Sequence, residues 1–213
     1  MFQQTINRNF TTGFPGDIVR AGPTRAKPAR IASATVGADP GISTNRISRA
    51  FGYSGEQGSF GGGSTPQTQT YPAVVAEVIV GGPVFFGILG HPKHYALLGD
   101  ASGSLDPSID LPLGANAEFF DMATGIVVQL FNETTGAKTI GYGDGLAYVP
   151  STITGGNNPL ALPFGAIVTF PKGGAAPTGF VTIPNAFITT PQSLAASAVG
   201  ALVLGEGIAQ LTE

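Results

Sequence analysis

The side chains best suited to chemistry in this chain are few, and their spacing does not favour it. Both histidines fall in GHPKHYALLG, as His91 and His94. A metal would need both rings turned to one point. The proline between them forbids the regular helix that could do this, and no third ligand is spaced nearby. They read as loop histidines. GDASGSLDPSID (99–110) offers Asp100, Ser102, Ser104 and Asp106. A calcium loop starting at Asp100 needs Gly sixth and Glu twelfth, but Gly103 is fourth and Leu111 twelfth, so a hydrated turn is expected. GYGDG (141–145) and FGGGS (60–64) lack the strand-to-helix setting of a phosphate cradle. No serine sits in a Gly-x-Ser-x-Gly elbow, and two clustered histidines leave a Ser–His–Asp triad little to draw on. Glycosidases need two facing carboxylates. Glu118 and Asp121 share a candidate strand, but a separation of three puts them on opposite faces; Glu77 and Glu133 could meet only through the fold. There is no tryptophan to serve as a sugar platform. The expectation is a non-enzyme with no cofactor and no metal.

The elements that would have to carry any site are short. Residues 72–213 form a series of apolar runs rich in β-branched and aromatic residues: 73–80, 84–89, 94–99, 117–122, 125–131, 138–149, 165–170, 179–183, 186–190, 200–204 and 207–211. Turn chemistry separates them, including Ala123-Thr124 and Gly205-Glu206-Gly207, which suit tight hairpins. Gly (32) and Pro (17) leave little room for long helices. Only 191–200 could form a short helix, and it reads equally as a loop. The fold class is therefore all-β, an antiparallel sandwich or partly closed barrel with an extended N-terminal arm and few or no helices. Two parts are expected: a basic arm at 1–31 and one β-rich domain at 32–213, with a flexible Gly/Ser-rich loop at about 54–70.

Charge divides the chain unevenly. Residues 1–49 hold seven Lys/Arg against two Asp, while 50–213 hold three against eleven Asp/Glu. Within the arm, Pro15, Pro23 and Pro28 favour an extended backbone. Such a split suggests an interaction arm. Its cations are too dispersed, and the body too acidic, for nucleic acid to be the partner. The absence of cysteine excludes disulfides and thiolate sites and fits a reducing cytoplasm. The opening lacks a signal-peptide core, and the most apolar stretch (72–90) is broken by Glu77 and Gly81-Gly82-Pro83, so no membrane is implied. The sequons Asn9-Phe10-Thr11 and Asn132-Glu133-Thr134 matter only in a secreted eukaryotic protein.

The opening MFQQTINRNFTTGFPGD resembles the start of tailed-bacteriophage capsid cement, or decoration, proteins. Gln4, Thr5, Ile6 and Asn7, then Gly13, Pro15, Gly16 and Asp17, carry the likeness. Small-residue-rich strands and a terminal hairpin, GALVLGEGIAQL, extend it loosely over the chain. The resemblance implies a non-enzymatic protein on the outer surface of an icosahedral head, assembled in the host bacterial cytoplasm and bridging major capsid subunits. Its partners would be the major capsid protein and other copies of itself, as a dimer or trimer at a symmetry axis. In this reading the arm is a strap: Arg8, Arg20, Arg25, Lys27 and Arg30 pair with shell carboxylates, and Ile6, Phe10 and Phe14 are apolar anchors.

Two other readings compete. A carbohydrate-binding or depolymerising tail or surface adhesin predicts an acidic, aromatic-lined groove using Tyr142, Asp144 and Tyr148. A self-assembling surface or pilus subunit predicts polymers and normally a secretion signal.

Overall fold

The computed structural model describes residues 13–32, 45–56, 76–90, 111 and 116–212. The apolar runs become eleven strands: β1 (Thr24–Ile31), β2 (Ala50–Glu56), β3 (Ala76–Val80), β4 (Val84–Leu89), β5 (Asn116–Phe131), β6 (Lys138–Ile140), β7 (Gly145–Tyr148), β8 (Ile167–Phe170), β9 (Val181–Ile188), β10 (Gln192–Leu194) and β11 (Leu204–Leu211). Among the described residues the only helical turn is a 3-10 turn at Gly155–Asn157.

Nine strands form one sheet in the order β1-β3-β2-β4-β5-β11-β9-β7-β8, with extra pairings of β1 to β5 and of β5 to β8. Those two pairings bend the sheet into two rings that share β5. The first ring is β1-β3-β2-β4-β5 and the second is β5-β11-β9-β7-β8. Both are partly closed barrels, because β1 meets β3 through only two residue pairs and β5 meets β8 through one. β6 and β10 form a separate two-stranded sheet.

The sharing is possible because β5 is 16 residues long. Its first half pairs with β1 on one edge and β4 on the other. Its second half pairs with β11. Between the halves the register slips twice, opposite Arg25/Ala26 and opposite Ala209/Leu211. These bulges bend the strand from one barrel wall into the next. They also change which side chains face inward: Ala117 and Phe119 fill the first ring, whereas Ile126, Val128 and Leu130 fill the second. In the first core, Phe51 and Phe86 both pack on Phe119, with ring centroids 5.0 and 5.7 Å away. In the second, Tyr148, Ile167, Ile183 and Ile188 meet the β5 aliphatics. A third cluster, from Leu160 and Leu162 to Ala147 and Val168, lines the outer wall of the second ring.

The rings are also stitched together through the start of β2 and the turn between β3 and β4. Ala50 N–H donates to Gly165 O (3.0 Å) and Ser151 N–H to Gly81 O (2.6 Å). Tyr148, fully buried, donates its hydroxyl to Gly82 O at 2.6 Å. Gly52 and Gly82 cross so closely that a Cβ on either would overlap the other's backbone.

The all-β, partly closed architecture agrees with the sequence expectation, but several boundaries differ. Ala123-Thr124 is not a hairpin turn: 117–122 and 125–131 are one strand. Gly205-Glu206-Gly207 lies inside β11, so the expected terminal hairpin is absent. The runs 179–183 and 186–190 merge into β9. Each error treated a small or polar pair as a chain reversal, whereas long-range pairing keeps the backbone extended. Residues 191–200, which read equally as a short helix or a loop, hold β10 and the start of a tight turn. The run at 94–99 and the loop at 57–70 lie outside the described residues.

Candidate interaction surface

The leader is where sequence reading placed the site. Residues 1–12, with Ile6, Arg8 and Phe10, lie outside the described residues. Residues 13–31 are laid along this chain's own β5. The segment Phe14-Pro15-Gly16-Asp17 is a tight turn: Asp17 N–H donates to Phe14 O at 3.0 Å, and Gly16 has φ 88°. Proline second and a positive-φ glycine third are what a type II turn demands. The turn hooks onto β5 through Gly16 N–H to Val127 O (2.8 Å) and Val127 N–H to Asp17 O (2.9 Å). Phe14, at the head of the turn, is 70% exposed. Val19 N–H then reaches Gly125 O at 2.9 Å, and the Arg20 stem lies over Gly125, where a Cβ would collide with it. From Thr24 the chain runs antiparallel to β5 as far as Asn116. Pro28 is tolerated because β1 has a partner on one edge only until Arg30 reaches β3.

The arm's cations have partners within the body. Asp121, the β5 residue at the bulge, receives Arg25 through two hydrogen bonds (2.9 and 3.0 Å) and Lys27 at 2.7 Å. Lys27 also sits 4.8 Å above the Phe86 ring. Arg30 lies 3.8 Å from Glu77 on β3. Burial alone would push the Asp121 carboxyl up, but the hydrogen bonds and charges of Arg25 and Lys27 outweigh it and hold the group below the usual carboxylate range. The charge split read from the sequence is thus partly neutralised inside one molecule. Of the eight residues expected to touch a partner, the structure brings Arg25, Lys27 and Arg30 into one intramolecular seam. Phe14 and Arg20 stand apart from that seam, at the start of the strap.

Beyond the leader, Asp121 is the residue whose role sequence reasoning missed. A carboxylate in mid-strand, among Phe119, Phe120 and Met122, was the available signal, and it was considered only as half of a catalytic pair.

The other candidates resolve into structural roles. Tyr142 is exposed, but Tyr148 is fully buried, so the two cannot line one groove. Asp144 spends both carboxylate oxygens on backbone, accepting from Gly141 N–H (2.8 Å) and Lys172 N–H (3.1 Å). Glu77 and Glu133 sit apart, each beside a cation: Arg30 for the first, Lys138 for the second. Asn132 is fully buried and donates its amide to Gly136 O and Ala195 O while accepting from Thr134. A glycan cannot enter there. No cluster of three metal-binding side chains exists among the described residues. His91, His94 and the 99–110 stretch lie outside the described residues.

A family model described as Structural cement protein (E217 gp24/Pam3 gp6) matches residues 2–206. Among solved structures, a chain from the capsid of Myoviridae Phage XM1 is similar at TM-score 0.48 and 10% identity, with 100% of this chain and 98% of that chain covered. No curated protein matches.

Proposed function

The chain belongs to the phage structural cement protein family, and on that premise we propose that it binds the outer surface of an icosahedral head and bridges major capsid subunits. Its class is structural: a capsid cement of the virion that associates with capsid proteins. We take it to have no catalytic activity of its own.

The family match over nearly the whole chain carries this reading. The geometry adds a place for the contact. The strap is pinned to β5 from Val127 to Asn116, so its head is held in a fixed direction. Phe14 is presented there with most of its ring in water, an apolar surface that contact with the shell would cover. Ile6, Arg8, Phe10, Phe14 and Arg20 form the proposed shell contact. Arg25, Lys27 and Arg30, assigned the same role from sequence, act first in holding the strap to β5 and β3. They keep partial exposure, through which they can still approach shell carboxylates.

The test is co-sedimentation of the purified chain with heads that lack it. Burying a phenylalanine ring contributes about 1.5–3 kcal/mol, so Phe14→Asp should weaken head binding by at least roughly tenfold. Its melting temperature should stay within about 2 °C of the parent, as expected for an exposed position. Undiminished binding by F14D would remove Phe14 from the contact. Failure of the parent chain to bind heads would sink the proposed placement on the shell.

A further inference from the structure

We propose that copies of this chain meet one another through the excursion between β10 and β11, residues 195–203, together with Leu204 at the start of β11; this deepens the cement reading and rests on it for where the meeting takes place. Charge leads to this surface. Residues 145–205 carry one charged side chain, Lys172. Within that region LAASAVGALVLG (194–205) is anchored in the cores by Leu194, Leu202 and Val203 and protrudes at its exposed turn, 198–201; its only polar side chain, Ser197, is buried. Ala198 and Ala201 exchange backbone hydrogen bonds (3.1 and 2.9 Å), so Val199-Gly200 is the tip of a two-residue turn. Val199 is 70% exposed, and Leu204, where the chain re-enters the sheet, is 46% exposed.

The protrusion is held, not loose. Asn132 takes Ala195 O from the end of β5, Ser197 Oγ accepts Val203 N–H at 3.0 Å, and Asn132 N–H reaches Val203 O at 3.2 Å. A buried, fully bonded asparagine therefore fixes both legs of an apolar tip pointing into water. Ordering it before contact removes part of the entropy cost of association. Apolar surface presented this way is characteristic of an interface.

The charge pattern favours a second copy over the shell as occupant. The residues closest to a symmetry axis lie near their own counterparts, so a charge placed there meets its like, and an uncharged tip suits that position. A surface facing a different protein is free of that constraint and gains specificity from opposite charges. The charged half of this molecule, by contrast, already pairs its own cations and carboxylates across β1, β3 and β5.

Sedimentation equilibrium of the full chain tests the assignment. The parent chain is expected to form a dimer or trimer at micromolar concentration. Val199→Asp and Leu204→Glu should each weaken that assembly at least roughly 30-fold, because each places an unpaired charge in an apolar contact. Val84→Asp, an exposed apolar position on the other ring, should leave it unchanged. Near-ultraviolet circular dichroism matching the parent establishes that each variant is folded. A parent chain monomeric up to about 100 µM overturns the proposal. So does assembly indifferent to both V199D and L204E. Loss of head binding by V199D without loss of assembly would assign the protrusion to the shell and equally overturn it. Failure of the parent to bind heads counts against the shell placement alone, since assembly is read without heads.

Discussion

At the scale of single residues, Asp121 decides how the leader is held. It sits at the bulge of β5 and takes two hydrogen bonds from Arg25 and an ion pair from Lys27. Hydrogen bonds to charged groups contribute about 1.5–3 kcal/mol, and Asp121→Asn should cost that range. For a chain of this size the melting temperature would fall by roughly 3–10 °C. The pH dependence has a definite sign. The folded carboxyl is held below its unfolded value, so its contribution is complete above about pH 4 and is lost as pH falls through the depressed folded value. Thermal melts of the parent should therefore drop more steeply below about pH 4 than those of D121N. Parallel acid limbs for the two would remove Asp121 from this role. The cations of the seam were legible in the sequence as a basic leader. Their partner was not, because nothing local to position 121 reveals that a segment about a hundred residues earlier lies across it.

At the scale of elements, the sequence reads most clearly where a strand is short and bounded by glycine or proline. The run 84–89 matches β4. It reads least well where a strand is long. The 16 residues of β5 contain Asp121, Ala123, Thr124 and Gly125, a cluster that resembles a turn, and only pairing with β1 and β11 makes it a bent strand. The Phe14–Asp17 turn was visible as Pro-Gly punctuation, although its attachment to Val127 was not. The crossing of Gly52 with Gly82 was likewise hidden, since both glycines read as ordinary strand or turn residues. Gly52→Ala places a methyl group in the Gly82 backbone. Because Gly52 is held between β3 and β4 and Gly82 O accepts the Tyr148 hydroxyl, neither main chain is free to move aside, and a loss of about 2–4 kcal/mol is expected by chemical denaturation. An unchanged denaturation midpoint would mean the two strands do not cross so closely.

At the scale of the whole molecule, family membership was legible mainly in the opening residues, while the two-ring plan was not legible at all. Which strands close a ring is decided by contacts far apart in sequence, and no periodicity encodes them. Charge, too, takes on a different meaning in the folded chain. Residues 1–49 and 50–213 differ sharply in sign, yet Arg25, Lys27 and Arg30 are matched by Asp121 and Glu77. On the proposed placement, Arg8 and Arg20 would be the leader's main charges for the shell. Two exposed ion pairs are worth at most about 1 kcal/mol each, so raising salt from about 0.1 to 1 M should weaken head binding by less than roughly 30-fold. A steeper dependence would return the β1 cations to the shell contact. The route of the strap has a mechanical side as well. Residues 24–30 lie antiparallel to β5 along almost half its length. A pull on the amino-terminal end along that axis loads the ladder in shear, so its hydrogen bonds resist together instead of unzipping one at a time. A swelling wall that dragged on the leader along that axis would thus meet a ladder whose bonds share the load.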